Sequence, residues 1–326
     1  MYRREFLAVA IAAGAAGKAQ ALAKPWRIGS MTDAPPDPRS ENVLAFLAGM
    51  HDLGYELGRD YVIERAYDQN RPERAPAAAA ELVSRRVDLI LTSSTTRSLA
   101  AKGATATIPI VMVIVNDAVA SGLVASLAHP GGNVTGLTVM SHDLNAKRAQ
   151  LLHEVVPAMR SLGMLWNPDY PGHAAASIEL EQVVRQIGVE LRRVSLRSAD
   201  ELDTAIERIA QQHTDALLMV DQPLIYAAPL RDRLLAALAR MRLPTLGPNR
   251  DHAHAGALLS YGVDFAERNR RSATYVVKIL GQGIKPAELP VEQPTQFSLV
   301  VNLKVARAIG VTIPTSMRLQ ADEVIE

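Results

Sequence analysis

The sequence predicts an α/β protein with two Rossmann-like lobes, each built on a parallel sheet and joined to the other by a multi-crossing hinge. Three observations predict this fold. Short apolar strands alternate with helices, the same order recurs in the second half, and a Pro-Gly-Gly-Asn turn at 130–133 separates the halves. Alternating strands and helices at this spacing are typical of parallel sheets that helices cover. We interpret the β-branched strand at 133–139 as the exit from the first lobe.

The first half contains a regular series of predicted elements. The helix at 41–53 carries apolar residues at helical spacing, and the strand at 87–94 is an apolar run that ends in hydroxyl side chains. The complete series is a strand at 27–31, a helix at 41–53, a strand at 61–67, a helix at 73–86, a strand at 87–94, a helix at 97–103 and an apolar run at 108–115.

The second half repeats this order with strands at 161–167, 189–196 and 214–221 and a helix at 174–187. We expect the helix at 174–187 to turn Ile178 and Ile187 inward, together with Val183 and Val184. Ser198 and Glu201 have the spacing of a capping box for the helix that follows.

The C-terminal part is predicted to form elements that pack back onto the two lobes. Asp264 and Glu267 predict a capped helix to about residue 280. A proline-rich connection at 289–295 leads to a strand at 297–302 and a helix at 304–309. A lone helix and a lone strand cannot bury themselves, so they should pack on the existing lobes. We therefore predict a first lobe of residues 24–140 plus 264–290 and a second lobe of residues 141–263 plus 291–326.

Composition excludes several classes of function. The 326 residues carry a net charge of +1, which does not suggest nucleic acid or an anionic membrane as a partner. The chain has no cysteine. Disulfides, thiol catalysis, cysteine-based metal sites and a lipid-anchoring cysteine are therefore excluded.

Residues 1–23 have the pattern of an export signal. A pair of arginines, Arg3 and Arg4, precedes an apolar, alanine-rich run, and Ala19, Ala21 and Ala23 offer cleavage sites. The twin-arginine and general secretion routes both remain open. The predicted mature chain is soluble, monomeric and periplasmic.

Several stretches carry a resemblance to a known family. They are 122–127, 130–136, 146–148, 165–168, 296–297, 300–304, 309–314 and 321–325. Taken together, the sequence resembles the ABC-transporter substrate-binding proteins of the tryptophan/tyrosine type. The resemblance implies the type I periplasmic-binding-protein fold, a small-molecule ligand and ABC permease subunits as partners. It also implies an aromatic amino acid, while branched-chain amino acids, aromatic acids and nucleoside-like compounds remain open.

In open parallel sheets the ligand lies beyond the carboxyl ends of the strands, and this rule selects the first-lobe candidates. Ser93, Ser94, Thr95 and Thr96 end one strand and begin a helix, where free N–H groups suit an anion. The same hydroxyls can serve only to cap that helix. The remaining first-lobe candidates end the first strand and are Ser30, Met31 and Thr32.

Two acids at the ends of apolar strands, Asp117 and Asp221, are candidates for a ligand ammonium group. Either can instead cap its own turn. We expect Asp221 to bind the ammonium group and the hydroxyls at 93–96 to bind an acidic end. The further second-lobe candidates are Asn167, Tyr170, Tyr226 and Tyr261.

Motifs for catalysis, nucleotide binding or metal binding are missing from the sequence. There is no G-x-S-x-G, H-E-x-x-H, G-x-G-x-x-G after the first strand, or G-x-x-x-x-G-K-[ST]. His252 and His254 would share one face if they lay on a strand, but no third ligand accompanies them. We therefore expect no cofactor, no metal and no catalytic residues. The favoured function is a solute receptor that delivers its ligand to a permease. The alternatives are an exported α/β enzyme acting on a small polar metabolite and the sensing domain of a regulator, which here lacks a DNA-binding head.

Overall fold

The computed structural model describes residues 24–32, 38, 40–69, 71–140, 144–170 and 172–326. The predicted export signal lies outside the described residues. The first lobe is built on a five-stranded sheet in the order β2-β1-β3-β4-β5, and all of its pairs are parallel. Its strands are β1 (Trp26–Thr32), β2 (Tyr61–Tyr67), β3 (Leu89–Thr92), β4 (Ile110–Val115) and β5 (Val134–Thr138).

The second lobe is built on a seven-stranded sheet. Its strands are β6 (Ser161–Trp166), β7 (Glu190–Ser195), β8 (Ala216–Met219), β9 (Thr245–Gly247), β10 (Leu259–Gly262), β11 (Ser298–Asn302) and β12 (Glu323–Ile325). They lie in the order β12-β11-β10-β9-β8-β6-β7. β11 runs antiparallel to β10, so this sheet is mostly rather than wholly parallel. The reversal follows because β11 enters from a late crossing and not from a strand–helix–strand unit.

Helices cover both sheets. They are α1 (Glu41–Asp52), α2 (Ala75–Ser84), α3 (Thr95–Ala104), α4 (Asn145–Val155), α5 (His173–Gln186), α6 (Leu202–Gln212), α7 (Ala228–Arg240), α8 (Arg250–His254), α9 (Phe265–Val276), α10 (Leu303–Ile309) and α11 (Thr315–Gln320). In the described part of the chain, no helix combines the length and the apolar character that a membrane span needs.

The chain passes between the lobes three times. It leaves the first lobe after β5 and returns from β10 into α9, which packs along α1 on the first sheet. It leaves again after a segment that runs beside β5, where the Glu292 N–H donates to the carbonyl of Gly136 at 2.9 Å. The third passage leads to β11. Three connecting segments in one place are what a hinge between two lobes requires.

Separate apolar cores lie on the faces of the two sheets. Ile28 and Leu89, which are in register on β1 and β3, pack with Phe46 and Met50 of α1. In the second lobe, Leu162 and Leu218 belong to a core that also includes residues of α4, α5 and α10. These cores fix the strand ends, so the loops beyond the carboxyl ends of the sheets face each other across a cleft.

Local expectations about two segments were wrong. Ile178 and Ile187 are 59% and 40% exposed, because the buried face of α5 consists of smaller residues together with Leu180 and Val184. Ser198 makes no capping hydrogen bond, although the Glu201 carboxylate accepts from the Arg197 N–H at 2.8 Å.

The sequence assigned no element to the histidine pair, and the structure places it on a helix. Residues 250–254 form the short helix α8 and not a strand, so His252 is buried while the side chain of His254 is 45% exposed. By contrast, Asp264 caps α9 as expected, because its carboxylate accepts from the N–H groups of Ala266 and Glu267.

Candidate functional site: the cleft between the lobes

A cavity of about 240 Å³ lies between the lobes, and we call it the central cavity. Its walls come from strand ends and helix starts of both sheets, as expected for this architecture. The first lobe and the start of α9 contribute Asn42, Ser93, Ser94, Arg97, Ile114, Asn116 and Phe265, and the second lobe contributes Tyr170, Asp221, Pro223, Tyr226 and Asp251.

The first-lobe wall is the start of α3. Ser94 is its N-cap, and its hydroxyl oxygen accepts from the Arg97 N–H at 3.3 Å. The Ser93 hydroxyl donates to the carbonyl of Met31 at 3.3 Å and accepts from Nη1 of Arg97 at 3.2 Å. Both serine hydroxyls therefore make their hydrogen bonds within the first lobe. The Arg97 N–H is capped by Ser94 and the Thr95 N–H hydrogen-bonds to the Tyr170 phenol, so what the wall offers an anion is the positive end of the helix dipole.

Arg97 adds a fixed positive charge to the same wall. The residue is 5% exposed, and its guanidinium pairs with Asp68, with Nε–Oδ2 and Nη2–Oδ1 distances of 2.6 and 2.8 Å. A two-point pair of this kind holds the planar guanidinium in one orientation. Nη1 is left on the side of Ser93 and the cavity.

The second-lobe wall presents a buried carboxylate. Asp221 is 6% exposed, and its Oδ1 accepts from the Tyr226 hydroxyl at 2.9 Å. Its other oxygen, Oδ2, accepts no hydrogen bond from the described residues, and Asp221 lines the cavity. Burial raises the pKa of Tyr226 well above its ordinary value, and the nearby charge of Asp221 adds to this rise. Tyr226 therefore remains a neutral hydrogen-bond donor to Asp221.

The backbone of Asp221 is held by a buried histidine. His173 accepts from the Asn167 N–H through Nδ1 at 3.1 Å, so its Nε2 carries the proton and donates to the Asp221 carbonyl at 2.9 Å. Burial lowers the pKa of His173, which agrees with a neutral ring in this position. Asn167 thus does not line the central cavity and supports Asp221 only indirectly, through His173.

A second buried cation lies behind Asp221. Arg148, on α4, is fully buried and donates to the carbonyl of Tyr261 at 2.8 Å, to that of Pro248 at 3.2 Å and to Asn145 Oδ1 at 2.9 Å. Burial lowers the pKa of Arg148, and the charge of Asp221 opposes this change. The two charges are close enough to stabilise each other inside the second lobe.

Tyr170 connects the two walls. Burial raises the pKa of its phenol, Asp221 raises it further, and hydrogen bonding with Thr95 of the first lobe opposes the rise. Its ring also lies 4.9 Å from that of His173. The phenol therefore reaches across the cleft, and the structure holds the lobes close together.

Two neighbouring cavities contain other candidates. The hinge-side cavity, of about 400 Å³, is lined by Thr95, Asp117, Thr138, Gln293 and residues of α5. Asp117 is exposed there, and its Oδ1 accepts from the N–H groups of Val119 and Ala120 at 3.0 and 2.8 Å. It caps its own turn, which is the second of the two roles that the sequence left open.

The other neighbour is the side cavity, of about 220 Å³, between the first sheet and α1. Ser30, Met31 and Thr32 line it, and it shares Asn42, Ser93 and Ile114 with the central cavity. Thr96, Asn167 and Tyr261 line none of these three cavities. Tyr261 packs instead against the core of the second lobe and against Phe297.

The sequence matches the pattern of a known protein family over most of its length. The pattern of the ABC transporter substrate binding protein family covers residues 36–325. The chain belongs to this family. Its fold, two α/β lobes with a ligand-sized cavity between them, is that of a type I periplasmic binding protein, and it is a substrate-binding protein of an ABC transport system and not a member of an enzyme family.

Individual proteins and solved structures are similar to this chain. A tyrosine-binding protein from Clostridioides difficile (strain R20291) is 24% identical over 280 residues, which span 86% of this chain and 78% of the relative. A conserved domain protein from Vibrio cholerae is 26% identical, with a TM-score of 0.84 over 92% of this chain and 100% of that one. An ABC domain from Streptococcus pneumonia in complex with L-Trp is 20% identical, with a TM-score of 0.82 over 93% and 100%.

Sequence reasoning missed several residues of this substrate-binding protein's central cavity, among them Asn42, Arg97, Asn116 and Asp251. Asn42 and Arg97 lie in the first turns of α1 and α3, so helix starts beside strand ends were the signal that could have found them. Asp251 lies on α8, which the sequence did not predict as a helix. Within the described ranges, no group of three or more His, Asp or Glu side chains is placed to hold a metal ion.

Proposed function

We propose that this protein is an exported, monomeric solute receptor that binds an amino acid between its lobes and delivers it to an ABC permease. The observation that carries the proposal is the division of charge across the central cavity. Arg97 and the start of α3 lie on the first-lobe side, and Asp221 lies on the second-lobe side. An α-amino acid carries one group of each sign and can bridge the two walls.

The relatives support a ligand of this class. One is a tyrosine-binding protein, and a structural neighbour was crystallised with L-Trp. The ligand carboxylate would lie at the start of α3 near Arg97, where the positive end of the helix dipole and a guanidinium favour an anion. The ammonium group would lie against Asp221 Oδ2. Because only a molecule with both groups contacts both walls, such a ligand would add to the contacts that hold the lobes together.

Asp221→Asn tests the proposal. The variant keeps the shape and replaces a charge-assisted hydrogen bond by a neutral one, so we expect about a ten- to hundredfold loss in amino-acid affinity. Titration calorimetry with L-tryptophan, L-tyrosine and branched-chain amino acids measures it. Asp117→Asn is the matched control, since Asp117 caps an exposed turn, and it should bind like the wild type.

Two outcomes would contradict the proposal. A large loss for Asp117→Asn with none for Asp221→Asn would move the ammonium site to the hinge-side cavity. If neither substitution changes affinity, the ligand carries no ammonium group there. Chromatography of the ligand after incubation separates the receptor from the enzyme alternative, because a receptor returns its ligand unchanged.

A further inference from the structure

The side cavity has the shape and the lining of a pocket for a ligand side chain. It lies between one face of the first sheet and α1, and it adjoins the central cavity, with which it shares the lining residues Asn42, Ser93 and Ile114. Ile63, Leu91, Val113 and Phe46 give it apolar walls. The cavity is about as large as the central cavity, so the two together can hold a ligand larger than its charged ends alone.

The strand register explains one polar feature of this cavity. Ser30 on β1 is paired with Arg65 on β2 and with Leu91 on β3. Residues in register on neighbouring parallel strands point to the same face of the sheet. Arg65 therefore lies on the face that α1 covers, beside apolar walls, and not on the face that α2 covers.

Among the described residues that line the side cavity, Arg65 is the one that carries a charge. It is partly buried, and its guanidinium has no hydrogen bond or ion pair with any described residue. The arginines nearby on this lobe do have carboxylate partners: Arg27 and Arg85 both pair with Glu64, and Arg97 pairs with Asp68. A partly buried guanidinium beside apolar walls is favourable when an acceptor pairs with it.

We propose that the side cavity binds the side chain of the ligand and that Arg65 pairs with an acceptor at the end of that side chain. This rests on the proposed function, because the central cavity would hold the α-amino and α-carboxylate groups. The ligand class is then an α-amino acid with an apolar or aromatic stem that ends in a hydrogen-bond acceptor. A terminal carboxylate would give the strongest pair, since it forms a charge-assisted, two-point contact with a guanidinium.

Three ligands that share one stem test this inference: L-phenylalanine, L-tyrosine and 4-carboxy-L-phenylalanine. Their affinities are measured by titration calorimetry on the wild type, Arg65→Gln and Arg65→Lys. In the wild type the carboxylated ligand should bind about ten- to a hundredfold more tightly than phenylalanine, with tyrosine between them. Arg65→Gln should abolish this preference, and Arg65→Lys should keep part of it because the charge remains.

Arg240→Gln, which removes an exposed arginine from α7 of the second lobe, is the control and should leave the preference unchanged. Thermal melts of all variants confirm that they are folded. The inference is overturned if the wild type binds phenylalanine and its carboxylated analogue equally, or if Arg65→Gln keeps the preference.

The outcomes separate this inference from the proposed function. If all three ligands bind with equal affinity and Asp221→Asn weakens the binding of each, the proposed amino-acid receptor is supported and only the role of Arg65 is contradicted. If none of the three binds while a branched-chain amino acid does, the proposed role of the side cavity is contradicted, and the proposed amino-acid receptor is again supported. If no α-amino acid binds at all, both proposals fall.

Discussion

A few side chains set the charge of the central cavity, and their neighbours decide which of them face it. Asp117 and Asp221 look alike in the sequence, because each is an acid that follows an apolar strand. The backbone after β4 turns the first towards its own loop, whereas His173 and Tyr226 hold the second in the cavity. Sequence position therefore predicted the candidates but not their orientation. Arg97 was missed because its place depends on a pair with Asp68, 29 positions away.

The Tyr226 hydroxyl should contribute to ligand binding through Asp221. Tyr226→Phe removes the hydrogen bond to Oδ1, which leaves the carboxylate less well oriented and costs about 1 kcal/mol. We expect about a three- to tenfold loss in amino-acid affinity, measured by calorimetry. Tyr261→Phe is the matched control, because Tyr261 lies outside the cavities and should tolerate the change. Equal losses in the two variants would contradict this role for Tyr226.

His252 should make the protein less stable in mild acid. Burial lowers its pKa to about 3, so the folded state keeps the ring neutral while the unfolded state binds a proton below about pH 6.5. The contribution of the neutral His252 ring to the free energy of unfolding is complete above pH 6.5, and it is lost as the pH falls towards 3. Between pH 6 and 5, the free energy of unfolding should fall by about 1 kcal/mol because of this group alone.

Urea titrations of His252→Gln across this pH range measure that contribution. The variant should show a shallower decline than the wild type, and His173, whose pKa burial also lowers, accounts for part of the remaining slope. His129→Gln removes an exposed histidine and should not change the slope. An unchanged slope in His252→Gln would mean that the ring takes up a proton in the folded state.

Most strands and helices of the first half were predictable from their apolar patterns, and several elements of the second half were not. The strands β1, β2, β6 and β11 lie where apolar runs between turn residues placed them. β9 and β10 have three and four residues, too few to show a period, and neither they nor α7 and α8 were predicted. The parallel sheets followed from alternation alone, while the antiparallel β11 depends on the path of the last crossing. The predicted lobe boundaries remain predictions.

The close packing of α1 against α9 can be tested by substituting a glycine at their contact. A Cβ on Gly49 would lie 2.4 Å from the carbonyl oxygen of Arg270, so Gly49→Ala must push the helices apart. We expect a loss of about 1–3 kcal/mol in the free energy of unfolding, even though alanine favours helix. Gly103→Ala on α3 meets no atom within 4 Å and should gain up to about 1 kcal/mol. Urea denaturation compares the two, and a gain in both would show that α1 and α9 are loosely packed.

At the scale of the whole molecule, the two lobes are tied across the cleft by charge as well as by the hinge. Arg250 on α8 of the second lobe lies 3.3 Å from the Glu41 carboxylate at the start of α1, and 3.9 Å from that of Asp264. It also lies 3.7 Å from Glu323 of its own lobe. These side chains are between one third and two thirds exposed, so each contact is weak. Because only close lobes allow the contact with Glu41, it favours the closed arrangement without ligand contact.

Glu41→Gln should therefore shift the molecule towards an open arrangement. A pair of this exposure contributes up to about 1 kcal/mol, so amino-acid affinity should fall about two- to fivefold, and less at high salt. Calorimetry measures the affinity, and small-angle scattering without ligand measures the increase in radius of gyration. Asp52→Asn is the matched control, because Asp52 lies at the other end of α1 and pairs with Arg270 within the first lobe. If both variants lose affinity equally, the effect comes from α1 itself. If Glu41→Gln changes neither quantity, the contact between Arg250 and Glu41 does not influence closure, and other contacts across the cleft, such as that of Tyr170 with Thr95, must hold the lobes together.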